Sequence, residues 1–249
     1  MSYIFQFDRL HKVIEDTERS VLFTNVCGCM DEPMIITVLG ASGQGKSTLL
    51  RVLARLDSFD EGDMMLGNKS YKDWSVREWR MKVGYVSQFP VMLPGSVEDN
   101  LKTVSSLHRI PFDHALAKKL MESLRLDHLD WNKKAADLSG GEKQRLSLIR
   151  SMLIRSEILL LDEITASLDQ HSKHAVEQVL EEWSRREGVG MIWVTHDLQQ
   201  ARHHSKRVWF MAEGTLLEDR DTQAFFDKPD TNAGMQYLQG LKAEGEHHV

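Results

Sequence analysis

The sequence predicts an α/β fold: a mixed, mostly parallel sheet core with an N-terminal antiparallel β layer and an inserted helical subdomain. Three observations predict it. An apolar run rich in β-branched residues, Met34 to Leu39, passes through a glycine-rich turn into a helix whose Leu49, Leu50, Val52, Leu53 and Leu56 recur at helical spacing. Short apolar runs then alternate with helical segments, as expected of buried parallel strands with helices on both faces. Between two of those runs lies a helical district from Val97 to about Leu129, in which Phe112, Leu116, Leu120, Met121 and Leu124 mark one apolar face.

The 249 residues can bury a sizeable core as one α/β domain, and no Pro/Ser linker divides them. A net charge of -6 and a pI near 6.0 argue against the strongly basic surface of a nucleic-acid binder. The only cysteines, Cys27 and Cys29, are too close in sequence to favour a disulfide, which fits a reducing compartment. No Cys/His spacing beside them suggests a metal site, so they read as two small buried or loop residues. No signal-peptide pattern is expected, and no apolar run approaches a membrane span. Work at a membrane requires a separate membrane protein.

In chain order, Tyr3 to Phe7 and Ser20 to Val26 read as short strands separated by the polar segment Glu15 to Arg19, forming the antiparallel layer. Next comes the strand, loop and helix of Met34 to Leu56. Asp60 to Gly67 gives a turn and short strand, and Val83 to Ser87 gives a strand ending at Gln88. After the helical district, Gly141 to Leu153 reads as a helix, Ile158 to Leu161 as a strand and Ala175 to Trp183 as a helix. Met191 to Thr195 and Arg207 to Met211 are further strands.

The loop at Gly40 has the pattern G-x-x-x-x-G-K-[ST]. Its glycines let successive backbone N–H groups converge on an anion, and the following helix adds its positive end. The candidate phosphate contacts are Gly40, Ser42, Gly43, Gln44, Gly45, Lys46, Ser47 and Thr48. Lys46 is expected to reach the β- and γ-phosphates of a nucleotide such as ATP, and Ser47 to hold Mg²⁺. Strand Ile158 to Leu161 ends in Asp162 and Glu163, an expensive place for two carboxylates unless a cation waits there. Asp162 suits the Mg²⁺ shell, and Glu163 is placed to polarise an attacking water.

Leu138-Ser139-Gly140-Gly141-Glu142-Lys143-Gln144-Arg145 opens a helix, with Ser139 as N-cap and two glycines exposing backbone N–H groups, a second anion site. With this string the chain resembles the ATP-binding subunits of ABC transporters, P-loop NTPases in which LSGGE is the signature. The resemblance spans nearly the whole chain. It implies a RecA-like core over residues 1–88 and 155–249 and a helical subdomain over 89–154. It also gives Ser139, Gly140, Gly141 and Glu142 the role of contacting ATP held by a partner copy.

By the same resemblance, Gln88 matches the glutamine that senses Mg²⁺ and the attacking water, and His196 matches the histidine that contacts the γ-phosphate. Asp169, in Ser167-Leu168-Asp169, matches the D-loop, although it also suits the N-cap of the next helix. Members of the family stack adenine on an aromatic residue shortly after the first strand. This chain has Leu10-His11-Lys12-Val13-Ile14 there, so His11 or the aliphatic pair must hold the base, or it is held loosely.

The strings around Glu142, Asp162 and His196 look like those of the FetA-type iron-export ATPases, since Ile164 stands where most importer ATPases carry Pro. That resemblance implies a homodimer formed on ATP binding and a separately encoded transmembrane permease of the FetB type. It implies a cytoplasmic location at the inner face of the membrane, with membrane contact only through the permease. Immediately after Gln88, Phe89-Pro90-Val91-Met92-Leu93-Pro94 is apolar, with Phe89 and Met92 expected to form a groove for a permease helix and Val91 and Leu93 open to packing on the core instead. A second reading is an ATP-gated scaffold resembling the cell-division ATPase FtsE. A kinase on the same loop leaves LSGGE unexplained, and a DNA-repair ABC protein needs a long coiled-coil insertion. The short tail after Met211 leaves little room for an added regulatory domain.

Overall fold

The computed structural model describes residues 3–15 and 19–246. Strand β1 (Phe5–Glu15) pairs antiparallel with β2 (Arg19–Met30). The chain then enters a second sheet as β3 (Ile35–Leu39) and turns through the glycine loop into α1 (Lys46–Leu53). Strand β4 (Glu61–Leu66) returns to the free edge of β1, and β5 (Lys69–Ser70) extends that edge, giving the order β2-β1-β4-β5. Helix α2 (Val76–Lys82) leads directly into β6 (Val83–Val86).

Helices α3 (Val97–His108), α4 (His114–Ser123) and α5 (Gly140–Met152) occupy the stretch before β7 (Ile158–Asp162). There follow α6 (Gln170–Glu187), β8 (Gly190–Val194), α7 (Leu198–His204), β9 (Arg207–Ala212) and β10 (Thr215–Asp221). Helices α8 (Thr222–Asp227) and α9 (Asn232–Glu246) come last. The larger sheet has the order β10-β9-β3-β8-β7-β6 and is parallel except at the β10–β9 edge.

Strand periodicity assigns the two faces of this sheet. Ile36, Val38, Ile158, Leu160, Ile192 and Val194 pack into a core shared with α1 and the antiparallel sheet. Their neighbours Ile35, Leu159, Leu161, Met191 and Trp193 enter a second core with α3, α4, α5 and α6. Alternate side chains of a strand point to opposite faces. Asp162, two residues beyond Leu160, therefore emerges on the face covered by α1.

Several expected boundaries move. β1 runs on to Glu15 and takes in His11 to Ile14, because β2 supplies ladder partners along it to Glu15, joined by β4 as far as His11. Cys27 and Cys29 are neither buried nor in a loop: they lie on β2, Cys27 exposed and Cys29 half-buried, both as free thiols. The polar segment Glu15 to Arg19 lies in part outside the described residues. The helical district divides at Arg109, whose left-handed φ of 56° caps α3, and resumes at the Asp113 N-cap of α4. The segment after Met211 carries β10, α8 and α9.

Candidate active site

The loop between β3 and α1 is built by close backbone approach. Gly40 (φ 151°) lies so near β9 that a Cβ would come within 2.1 Å of the Met211 carbonyl oxygen. Gly45 (φ 87°) is the N-cap of α1, and a Cβ there would press on Leu22 and Phe23 of β2. Only glycine fits such positions. Lys46 is 5% exposed and donates from Nζ to the Gly40 and Ala41 carbonyls, each at 2.7 Å. Burial pushes its ammonium down from the ordinary lysine range, while the Glu163 and Asp162 carboxylates pull it back up.

Ser47, one residue on, donates from Oγ to Asp162 Oδ1 at 2.8 Å, joining the start of α1 to the end of β7. Asp162 is 4% exposed, and its other oxygen, Oδ2, accepts from the Tyr85 hydroxyl at 2.9 Å. Glu163 follows in a left-handed conformation, φ 47°, which costs a non-glycine residue about 1–2 kcal/mol. Its backbone N–H still donates to Val194 O at 3.0 Å, so the strand ladder holds the turn and aims the side chain away from the sheet. Glu163 Oε1 lies 2.9 Å from His196 Nε2, and Oε2 accepts from Gln88 Nε2 at 3.0 Å.

Phosphate loop, strand-end carboxylates, Gln88 and His196 thus converge. A cleft of about 280 Å³ above the loop is lined by Leu22, Ser42, Gly43, Gly45, Lys46, Ser47, Thr48, Glu163 and His196. Gln44 sits within the same loop. His11 does not reach this cleft: it is half-buried on β1 opposite Glu61. The aliphatic group that does line it is Leu22, which the sequence does not single out because it is one alternating residue of an ordinary strand.

The signature segment stands apart from that cleft. Ser139 caps α5 in a capping box with Glu142: Glu142 Oε2 accepts from Ser139 N–H at 2.7 Å, and Ser139 Oγ accepts from Glu142 N–H at 3.3 Å. These bonds, Ser139 N–H foremost, hold the Glu142 carboxyl below its usual range. Ser139 and Gly140 are exposed, and no atom lies within 4 Å of where a Gly140 side chain would begin. Gly141 packs towards Leu168, so the signature adjoins the segment that carries Asp169. Asp169 is the N-cap of α6, accepting from Ser172 N–H at 3.0 Å, and Ser172's hydroxyl and amide pull its pKa down to about 2. Arg145, on α5, donates to the Gly141, Leu124 and Arg125 carbonyls and anchors the helix start.

The stretch after Gln88 is tethered through its backbone. Gln144 Nε2 donates to Ser87 O at 3.1 Å; Asn100, fully buried, bonds both the N–H and C=O of Leu93; Arg150 donates to Val91 O at 3.0 Å. The side chains are thereby sorted. Phe89 and Val91 are 77% and 69% exposed, whereas Met92 turns inward against the core beneath α3 and α5. The expected pairing of Phe89 with Met92 on the surface is corrected to Phe89 with Val91.

Residues 23–166 match the profile of a family described as ABC transporter. The chain is 36% identical over 226 residues to a putative ABC transporter ATP-binding protein, YjkB, of Bacillus subtilis (strain 168), covering 91% of this chain and 90% of the relative. It is 36% identical over 169 residues to a probable iron export ATP-binding protein, FetA, of Escherichia coli (strain K12), covering 68% and 75%. It is 33% identical over 219 residues to a phosphate import ATP-binding protein, PstB, of Thermotoga maritima, covering 83% and 86%. Among solved structures, a bacterial Atm1-family ABC exporter with ATP bound superposes with a TM-score of 0.83 at 19% identity, over 95% of this chain and 41% of the exporter chain.

Proposed function

The chain belongs to the ABC transporter family as an ATPase, and from that premise we propose that it binds MgATP between two copies of itself and drives a separate membrane permease. One observation carries the reading: Glu163 is held from both sides, by Gln88 and His196, beside the phosphate loop. No helix among the described residues is long and apolar enough to cross a membrane. In this reading, work on a transmembrane cargo falls to a partner docked on this subunit at the inner face of the membrane.

The backbone N–H groups of the loop and of the start of α1 bind the triphosphate, and Lys46 supplies positive charge to its terminal groups. The donor set fits Mg²⁺. Ser47 offers a hydroxyl, Asp162 a carboxylate and Gln88 an amide oxygen, the hard oxygen donors that this cation takes. When bound, Mg²⁺ neutralises charge on the β- and γ-phosphates. Glu163 accepts a proton from the attacking water, while His196 and Gln88 orient its carboxylate and report the state of the γ-phosphate. Ser139, Gly140, Gly141 and Glu142, remote from their own chain's cleft, complete the cleft of a second copy, with Asp169 between the two.

The likeness to FetA supports a further reading: the partner is a permease of the FetB type and the cargo a metal cation such as iron, moved outward. PstB, a phosphate importer by its description, marks the competing class of cargo. Copurification from a membrane extract, followed by ATPase assays of the assembled complex with iron(II) and with phosphate, tests both levels. A copurifying permease whose presence raises turnover supports the ATPase role. Stimulation by phosphate and not by iron removes the metal-export reading.

A further inference from the structure

Asp162 is bonded on both oxygens, and only one partner belongs to the phosphate loop. The other, Tyr85, lies on β6, where it pairs in register with Leu160 of β7. Paired residues of adjacent strands share a face, and so do Leu160 and Asp162. The phenol therefore runs along the sheet surface for the two-residue rise, about 6.6 Å, that separates Leu160 from Asp162. Its hydroxyl donates to Oδ2 at 2.9 Å while Ser47 donates to Oδ1 at 2.8 Å.

A third group closes the arrangement. Arg51, one turn after Ser47 on α1, is held by Asp57 through Nε to Oδ2 at 2.7 Å and Nη2 to Oδ1 at 2.8 Å. Its guanidinium acts electrostatically on the Tyr85 phenol, whose hydroxyl bonds Asp162. The phenol is the donor of that bond, since an ionised carboxylate only accepts.

We propose that Tyr85 is a positioning residue for the nucleotide's divalent cation: its hydroxyl fixes the plane of the Asp162 carboxylate so that the remaining lone pairs face the Ser47 side. This rests on the MgATP reading of the site. With Ser47 alone, one oxygen is tethered and the carboxylate can pivot about that bond. With both donors in place the orientation is set before the cation arrives, and partners of this kind commonly govern metal affinity without touching the metal.

Tyr85→Phe removes the hydroxyl and keeps the ring. In the full-length protein with AMP-PNP bound, Mn²⁺ affinity read by electron paramagnetic resonance is expected to weaken about tenfold, the low end for loss of such a partner. The free Mg²⁺ that half-saturates hydrolysis should rise in parallel, with kcat recovering at high Mg²⁺. Affinity for a fluorescent ATP analogue in EDTA should be unchanged. Unchanged Mn²⁺ affinity overturns the proposal, as does an equal loss of nucleotide affinity in EDTA. A Tyr85→Phe protein that does not fold assigns the hydroxyl to the fold and also overturns it. If the wild type binds no nucleotide at all, the MgATP reading itself fails; if it binds and the variant matches it, only the role of Tyr85 does.

Discussion

Glu163 Oε1 and His196 Nε2 stand 2.9 Å apart at the ends of two adjacent parallel strands, β7 and β8. The strand register sets this proximity: Asp162 pairs with Val194, so the next residue of one strand and the second residue past the other meet above the sheet edge. With Gln88 on its other oxygen, Glu163, like Asp162, has both carboxylate oxygens oriented by polar side chains from different segments, and of the two it is Glu163 that lines the cleft.

Glu163→Gln is therefore expected to bind ATP normally and to lose roughly 10²- to 10⁴-fold in hydrolysis, the usual contribution of a general base. Single-turnover hydrolysis alongside nucleotide titration separates the two. Near-normal turnover removes Glu163 from the base role. Lys46→Ala, in contrast, should weaken binding itself.

The separation of Ser139 and Gly140 from their own chain's cleft predicts an isologous, head-to-tail C₂ dimer on ATP binding. Light scattering on Glu163→Gln, which retains its nucleotide, should show a doubling of mass with MgATP. A monomer at saturating MgATP counts against shared sites.

Among the described residues Leu22 is the one purely aliphatic side chain lining the cleft, and the His11 to Ile14 segment offers no Phe, Tyr or Trp. Weak discrimination between ATP and GTP follows, since an aliphatic surface contacts any base and reads no hydrogen-bonding edge. The two nucleotides should give kcat/KM values within about tenfold, a difference worth only 1.4 kcal/mol. A strong preference for ATP reveals a base-reading residue elsewhere.

The exposed Phe89 and Val91 predict where a permease helix docks. Val91→Asp should leave folding and ATP binding intact yet abolish copurification with the permease. Met92→Asp should instead lower stability by about 1–3 kcal/mol, because it places a charge against the core. A Val91→Asp subunit recovered at the normal ratio with its permease moves the docking site elsewhere.

Asp169 titrates at about 2, against 3.8 when unfolded, because Ser172 donates to its charged form. A depressed folded pKa contributes stability that is complete above the unfolded value and lost as pH falls towards 2. Asn caps a helix about as well but does not titrate. The advantage of wild type over Asp169→Asn in urea midpoint should therefore shrink steadily between about pH 5, where the unfolded carboxyl starts to protonate, and about pH 2, where the folded one does. A constant gap across that range means that the charge of Asp169 adds nothing to the cap.

Much of this protein is determined by local sequence. The strand, glycine loop and helix of Met34 to Leu56, the Asp162-Glu163 strand end and the Ser139 capping box are short-range patterns, and each forms where its spacing predicts, except that α1 ends at Leu53 and leaves Leu56 exposed beyond it. Strand periodicity even places Asp162 on the face that α1 covers. What tertiary structure alone decided concerns partners far apart in the chain. Tyr85 reaches Asp162 across 77 positions, Gln144 holds Ser87 across 57, and Leu22 replaces His11 at the cleft. Met92 and Val91 exchange places because Asn100 and Arg150 grip the backbone around them. Such contacts carry no periodic signature: a tyrosine in a strand or an asparagine in a helix reads the same whether it faces water or a buried carboxylate. Only the packing of β6 against β7, and of α3 against α5, chooses between them.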